Sequence, residues 1–419
     1  MQDALGELVI TGCGVFGAVG TNCAELSDRL QTANLDHLTR RTDPRVLEPW
    51  IAGIMPDPDP ETAAKSLFDD DTAKKVRRLT RAAANGPRAG LTAALQAWQD
   101  AALPMGPVTE DASVFVAGQN TANEVLLSAS EAFTSEGRLS AGRLMQMGHD
   151  SFLVSLLSAV FGIAGDGAVV GGAQASGHIA ILQAVRALRS GETELALVVG
   201  APTILSPLEV AGYQALGALA NGSEDTLAAG CRAFDTGAAG FVPTEAAAAL
   251  VLETAAHAQA RNAKVKARIS GWASAMHRSV EPGPDCATAV RVMRNALAMA
   301  GARKPDMVSA HATGTPAGDS AEAEALAAVV DARTPVTAPK AVLGHGLTSA
   351  GVLETVAAIV QMEQGFLHGS PGLLEPIAPL LDHVRERRDS LSIGRVLNNG
   401  FGFGGFNAAI VLDQPDLGA

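Results

Sequence analysis

Two histidine-containing segments in the second half of the chain could bind one carbonyl oxygen. His311 follows the apolar run Met307–Ala310, and His345 follows a second short apolar run, Ala341–Leu343, which Lys340 precedes. If both runs are strands, the two rings point into a cleft at the carboxyl edge of a sheet, where ligands of open α/β sheets collect. Two neutral imidazoles there could donate hydrogen bonds to one thioester oxygen and hold an enolate as it forms. A nearby Lys340 ammonium would keep them neutral by charge repulsion.

Two Gly-rich segments could complete such a site. Residues 171–178 read Gly-Gly-Ala-Gln-Ala-Ser-Gly-His and precede an apolar helical stretch, so Gln174 would lie near a helix N-terminus, where nucleophiles are activated. Glutamine cannot be a covalent nucleophile, but it both donates and accepts hydrogen bonds. Near the C-terminus, Phe401 and Phe403 alternate with glycines, which predicts a mobile aromatic gate. Taken singly, these segments have ordinary alternatives: a loop histidine, a solvated lysine or a tight turn.

Charge balance and cysteine count exclude several function classes. The chain has 419 residues, and 31 Lys and Arg against 44 Asp and Glu give a net charge of −13. Such an acidic chain without a basic block is a poor nucleic-acid binder, because phosphate contacts need clustered cations. The most apolar stretch, Phe152–Ala164, is shorter than the ~18 residues of a membrane span, so we expect no membrane segment. With no signal peptide, and four cysteines that lack metal-site spacing, we expect a cytoplasmic protein with reduced thiols and no metal.

The pattern along the chain predicts an α/β layered fold, because short apolar runs alternate with Ala- and Leu-rich helical stretches. Strands that run into a Gly-rich turn and then a helix occur in both parts of the chain. This weak internal similarity predicts two similar halves, residues 1–255 and 256–419. The predicted strands are Leu8–Thr11, Ser113–Ala117, Ala168–Val170, Leu195–Val199, Ala248–Leu252, Ala267–Gly271, Met307–Ala310, Ala341–Leu343, Val396–Asn398 and Ala408–Leu412. The predicted helices are Thr80–Gln99, Ile179–Arg189, Cys286–Ala300 and Glu322–Val329.

In order and spacing, these segments resemble the ketosynthase family, the β-ketoacyl-carrier-protein synthases of the thiolase fold. The resemblance covers nearly the whole chain and also includes the segments Val9–Val15, Cys231–Asp235, Gly240–Val242 and Gly402–Asn407. It implies a five-layered αβαβα fold of two similar halves, usually in a homodimer or in a heterodimer with a paralogue. The implied substrate is an acyl or malonyl thioester on the phosphopantetheine arm of an acyl carrier protein, with no other cofactor.

One departure from the family's pattern bears on the activity. Members that condense carry a nucleophilic Cys in the turn that residues 173–177 match, and this chain has Gln174 in that place. The resemblance therefore implies no acyl-enzyme intermediate and no ordinary condensation. Half of the reaction would remain, namely decarboxylation of malonyl carrier protein to acetyl carrier protein. The residues that match the family's decarboxylation apparatus are His311, His345, Lys340 and Glu354.

Two subgroups of the family are similar to this chain. One decarboxylates malonyl carrier protein in polyketide pathways, and the segments Gly162–Gly167 and Ser206–Glu209 look closest to its free-standing enzymes. The other consists of chain-length factors, non-condensing partners of an active ketosynthase, whose Gln-containing turn resembles Gln174–Gly177. Because a subunit that only shapes a tunnel gains little from both histidines, His311 and His345 favour the decarboxylase.

The resemblance also implies a role for each candidate residue. His311 and His345 would bind the thioester oxygen, and Gln174 would lie against the acyl group. Lys340 and Glu354 would set the charge state and orientation of the histidines. The implied substrate-binding residues are Thr313, Thr315, Phe401 and Phe403, with the arm entering near the two phenylalanines, and Phe406 would narrow the cavity.

Two further segments are candidates for partner surfaces. Carrier proteins are acidic, so docking normally uses a local basic patch. The densest basic run consists of Lys74, Lys75, Arg77, Arg78 and Arg81, with a solvated helix face as the alternative. The apolar stretch Phe152–Phe161 could form an interface with a second copy or with a Cys-bearing ketosynthase, with simple core burial as its alternative.

Overall fold

The computed structural model describes residues 6–106, 112–137, 144–278, 280, 283, 285–301 and 303–415. The strands are β1 (Leu8–Gly17), β2 (Leu38–Arg41), β3 (Trp50–Gly53), β4 (Ala112–Ala117), β5 (Gly167–Val170), β6 (Leu195–Gly200), β7 (Ala246–Thr254), β8 (Ala267–Met276), β9 (Met307–Ser309), β10 (Pro335–Thr337), β11 (Asp382–His383), β12 (Arg395–Gly402) and β13 (Phe406–Asp413).

The helices are α1 (Cys23–Thr32), α2 (Pro60–Leu67), α3 (Asp70–Thr80), α4 (Asn85–Asp100), α5 (Asn123–Glu136), α6 (Leu144–Met147), α7 (Ser151–Phe161), α8 (Ser176–Ser190), α9 (Pro207–Ala215), α10 (Glu224–Ala229), α11 (Ala255–Ala260), α12 (Cys286–Met299), α13 (Pro316–Val329), α14 (Lys340–Leu343) and α15 (Ala350–Gln364). Short 3-10 turns, Ala173–Ala175 and Leu347–Ser349, precede α8 and α15. Within the described ranges, no helix has the length and apolarity that a membrane crossing needs.

The same strand arrangement occurs twice in the main sheet. Its order is β11-β10-β9-β12-β13-β8-β1-β7-β6-β4-β5. On one side, β1 and β6 pair antiparallel with β7, and β4 lies parallel to β6 and β5. On the other side, β8 and β12 pair antiparallel with β13, and β9 lies parallel to β12 and β10. Antiparallel pairing of β1 with β8 joins the two sides at Val9 and Ile10. These matching orders agree with the expected two similar halves, while the boundary at residue 255 stays a prediction.

Helices cover both faces of each side, as the near-continuous apolar strands predict. Helices α8 and α15 pack against each other and against strands of both sides, so they form the central layer. Helices α4 and α7 cover the outer face of one side, and α12 and α13 cover that of the other. The result is the mixed α/β, thiolase-like architecture that the sequence predicts, with helical layers outside and between two sheet layers.

Two predictions about individual elements need correction. The apolar run Ala341–Leu343 is the helical turn α14, because β10 already takes the sheet position beside β9 and Pro339 then starts a turn with φ −54° and ψ −33°. The helix predicted from Thr80 begins at Asn85, after a break that follows α3. The stretch Phe152–Phe161 is helical as expected, and its buried residues belong to the same core cluster as α4, while an interface on its remaining face stays a prediction.

The crossing of α8 and α15 depends on a glycine. A Cβ at Gly177 would lie 2.6 Å from the Val352 backbone nitrogen and 2.7 Å from Gly351 Cα. We expect Gly177→Ala to lower the free energy of unfolding by about 1–3 kcal/mol, because neither backbone can move without disturbing the central layer. Gly212→Ala on exposed α9, where nothing lies within 4 Å, is the matched control and should change stability by less than ~1 kcal/mol. Equal denaturation midpoints for the two variants would contradict this packing argument.

Candidate active site

The predicted site residues meet at one cavity of about 270 Å³. Gln174 reaches it from the turn before α8, His311 from the loop after β9, and His345 from the loop after α14. The other predicted residues that line it are Thr313, Thr315, Phe401 and Phe403. Lys340 and Glu354 are buried behind this lining, in contact with each other. The structure therefore brings together all nine residues, although they come from segments far apart in the sequence.

His311 is held by its backbone and by Lys340. The His311 and Ala312 amides donate to the Glu322 carboxylate, at 2.9 and 2.7 Å. Lys340 Nζ donates to the His311 carbonyl oxygen at 2.5 Å and lies 3.3 Å from His311 Nδ1. Because an ammonium group can only donate, Nδ1 accepts, and a neutral ring must carry its proton on Nε2.

His345 has the same tautomer for a different reason. The Leu347 amide donates to His345 Nδ1 at 3.2 Å, so the proton of the neutral ring lies on Nε2. That Nε2 is buried and has no hydrogen-bond partner in the described part of the chain. The two imidazole rings meet edge to face, with centroids 5.7 Å apart. Two N–H donors thus face one small cavity, and the buried one on His345 has no acceptor among the described residues.

Burial and Lys340 keep both rings uncharged. Burial is the main cause that holds the pKa values of His311 and His345 well below the usual 6.5, and the Lys340 charge lowers both further. Burial also raises the pKa of Glu354 to about 7, against the opposing effect of Lys340. Lys340 is 1% exposed and Glu354 2%. At neutral pH the histidines are therefore hydrogen-bond donors without charge, as the sequence predicts.

Gln174 lies in the turn that leads into α8. Its Oε1 accepts a hydrogen bond from the Phe403 amide at 2.9 Å, which joins this turn to the Gly-rich loop between β12 and β13. A Cβ at Gly402 would lie 2.6 Å from the Gly172 carbonyl oxygen, so only glycine allows the two segments to approach this closely. The side-chain carbonyl oxygen of Gln174 therefore accepts the hydrogen bond that the Phe403 amide offers at the cavity wall.

The remaining predicted residues shape the cavity walls. Thr313 Oγ1 and Thr315 Oγ1 share a hydrogen bond of 2.8 Å, and the Phe401 ring lies 5.7 Å from the His311 ring. Phe406 was expected to narrow the cavity, and this prediction is wrong. Its ring packs next to Gly172, and it is absent from the lining that the described residues form.

Sequence reasoning missed several polar residues at this cavity, among them Glu322, His277 and Asp285. Glu322 lies eleven positions after His311 and accepts both loop amides and the Asn399 side chain, so it fixes the loop that carries the histidine. The signal for it was a carboxylate on the buried face of the predicted helix. His277 and Asp285 lie at the other side of the cavity, between β8 and α12. No spacing in the sequence pointed to these two.

Comparison with known proteins agrees with this geometry. Residues 6–258 match the model of the β-ketoacyl synthase N-terminal domain, and residues 266–373 match that of the β-ketoacyl synthase C-terminal domain. The chain belongs to the β-ketoacyl synthase family.

Within this family, the chain is similar to proteins with different roles. It is 29% identical over 418 residues to the polyketide biosynthesis malonyl-ACP decarboxylase PksF of Bacillus subtilis (strain 168), covering 98% of this chain and 97% of that one. A β-ketoacyl synthase structure from Burkholderia phymatum STM815 gives a TM-score of 0.84 at 25% identity, covering 98% and 99%. The ishigamide ketosynthase/chain length factor gives 0.83 at 24% identity with the same coverage, a likeness of fold.

The role of Lys340 can be tested through pH dependence. A comparison of Glu354→Gln with Lys340→Met/Glu354→Gln removes the lysine charge, together with its hydrogen bonds to His311, while the titration of Glu354 is absent from both variants. Since that charge lowers the pKa values of His311 and His345, its loss should move the acidic limb of the rate profile upward, toward pH 6.5. A purely structural lysine would reduce the rate at all pH values and leave the limb in place.

Proposed function

We propose that this protein decarboxylates malonyl-acyl carrier protein to acetyl-acyl carrier protein in polyketide biosynthesis, and that it does not condense. The observation that carries the proposal is the pair of neutral histidines, both protonated on Nε2, at one cavity that also holds the Gln174 amide. The likeness to a malonyl-ACP decarboxylase over almost the whole of both chains supports the same substrate.

In the proposed reaction, the malonyl thioester oxygen accepts hydrogen bonds from His311 and His345. The bond between the carboxylate carbon and the α-carbon breaks, and its electron pair forms the double bond of the enolate while CO₂ leaves. Negative charge then moves onto the thioester oxygen, so the two donors bind the transition state more tightly than the substrate. A proton from solvent finally adds to the α-carbon, the carbonyl reforms, and the product is the acetyl thioester.

Gln174 would stand where a condensing enzyme carries its nucleophile. Its Oε1 already accepts from the Phe403 amide, as the carbonyl oxygen of an acyl group bound in this place would. None of the four cysteines belongs to the cavity lining among the described residues, and burial raises the pKa of every one of these thiols. The chain thus offers the cavity no thiolate to form an acyl-enzyme.

A second candidate function is a non-condensing partner subunit of a Cys-bearing ketosynthase. The turn from Gln174 to Gly177 and the likeness of fold to a ketosynthase/chain length factor favour it. In that case, the cavity would shape a product made by the partner's nucleophile, and the two histidines would have no substrate of their own. Their fixed tautomers and depressed pKa values support the decarboxylase instead.

The contacts of the basic residues on and just after α3 only partly support their predicted role in carrier-protein docking. Lys74 and Arg77 form ion pairs with Asp71 and Glu61, and Lys75 donates to a backbone carbonyl. Arg78 and Arg81 are exposed and have no ion pair with the described residues. We propose that an acidic carrier protein uses these two arginines, since paired cations have less charge to offer a partner.

The test of the proposed function is the intact mass of malonyl carrier protein after incubation with the purified protein alone. We expect the carrier to lose the mass of CO₂ and to keep its arm and acetyl group. An unchanged malonyl group would contradict the decarboxylase and favour the partner subunit, and a Cys-bearing ketosynthase that co-purifies with this chain would then be sought.

A further inference from the structure

A second, open groove adjoins the candidate active-site cavity. It has a volume of about 520 Å³ and shares His277 and Asp285 with the cavity, so the two spaces meet at these residues. Arg278 and Arg291 line the groove and are exposed. A chain that enters the cavity from this side lies along a groove that the two arginines and His277 line.

The two arginines are exposed and unpaired in an acidic chain. Many of its other arginines form ion pairs, as Arg29, Arg261 and Arg395 do. Arg278 and Arg291 form no hydrogen bond or ion pair with the residues that the structure describes, although the chain has a net charge of −13. Unpaired guanidinium groups at the entrance to a cavity attract anions, and their planar donors match phosphate oxygens two at a time.

Two further polar groups face the same groove. Among the described residues that line the groove, Asp285 is the single carboxylate, and it caps α12 by accepting from the Thr288 amide at 2.8 Å. Hydrogen bonds from the Thr288 side chain and amide, with smaller effects of His277 and Arg291, hold the pKa of Asp285 below its usual range, so it is ionised. The Nδ1 atom of His277 is buried and has no partner in the described part of the chain. One carboxylate that is already bonded to a helix N-terminus does not cancel two guanidinium groups.

We infer that Arg278 and Arg291 bind the phosphate of the phosphopantetheine arm while its thioester lies between His311 and His345. This inference rests on the proposed function, because the arm carries the proposed substrate. The malonyl carboxylate enters the cavity with the thioester, so the phosphate is the anionic group of the arm that two exposed arginines outside the cavity lining can select. The groove would thereby fix how far the arm enters and would place the thioester at the two histidines.

The experiment compares two small substrates that lack the carrier protein, malonyl-phosphopantetheine and malonyl-pantetheine. The wild-type kcat/KM should be about 10- to 100-fold higher for the phosphorylated substrate, as expected for charge-assisted hydrogen bonds to one anion. Arg278→Gln/Arg291→Gln should bring the ratio of the two values close to one, and Arg278→Lys/Arg291→Lys should restore part of it. Arg333→Gln, an exposed arginine elsewhere on the surface, is the control and should keep the wild-type ratio.

Since no carrier protein is present, a protein docking surface cannot account for such a ratio. A wild-type ratio near one, or a ratio that the double variant leaves unchanged, would overturn the inference. If neither small substrate is decarboxylated, calorimetry with phosphopantetheine and pantetheine tests the groove alone, and the proposed function fails only if malonyl carrier protein also keeps its malonyl group. Tighter binding of the phosphorylated arm, lost in the double glutamine variant, would still support the phosphate subsite, and equal binding would refute it.

Discussion

Replacing His311 with alanine is expected to slow the loss of CO₂ from malonyl carrier protein by about 10²–10³-fold. The physical reason is that the enolate oxygen loses one of its two neutral donors at the moment when negative charge reaches it. The ring that is removed has its tautomer fixed by Lys340 and its loop fixed by Glu322. Water admitted to the vacated space is a poorer donor, because it must reorient as the charge develops.

The rate is measured by intact mass of the carrier protein over time, with His345→Ala as a companion variant. His345→Ala should slow the reaction by a similar factor. The double variant should slow it by less than the product of the two single factors, because both donors serve one oxygen. His149→Ala, which removes an exposed histidine from the surface, is the control and should react at the wild-type rate. An unchanged rate in His311→Ala, with the variant folded by circular dichroism, would remove this residue from the mechanism.

The sequence was sufficient to predict the fold and the positions of the two histidines. Short apolar runs bounded by glycine or polar residues precede His311 and form β6, β12 and β13. This pattern is typical of strands that are covered on both faces. His345 was also correctly predicted to lie at the cavity, although the element before it is a helical turn. A run of three apolar residues has no periodicity that separates a strand from a helix, and only the pairing of β10 with β9 decides between them.

Residues that act across long distances in the sequence could not be predicted. The hydrogen bond from the Phe403 amide to Gln174 spans 229 positions and depends on how closely two Gly-rich segments pack. His277 and Asp285 reach the cavity because β8 ends beside the Gly-rich loop, where the His277 amide donates to the Gly405 carbonyl at 3.2 Å. Neither contact leaves a local pattern in the sequence, since each is set by tertiary packing.

Gln174→Cys is expected to convert the protein into one that accepts an acyl group covalently. The new thiol would lie at the turn before α8, where the helix N-terminus favours a thiolate, and beside His311 and His345. On incubation with an acyl carrier protein, its sulfur would attack the thioester carbonyl, and the thiol of the arm would leave. The measurement is the intact mass of the protein, which should increase by one acyl group per chain.

Wild-type protein and Gln174→Ser are the matched controls for this variant. The wild type should gain no acyl group, because burial raises the pKa of each of its own four thiols and keeps them protonated. A serine hydroxyl has a far higher pKa than a thiol, so Gln174→Ser should also stay unmodified on the same time scale. If Gln174→Cys remains unacylated while it still decarboxylates malonyl carrier protein, residue 174 does not face the thioester. The assignment of its side chain to the acyl position would then be wrong, even though both histidines kept their roles.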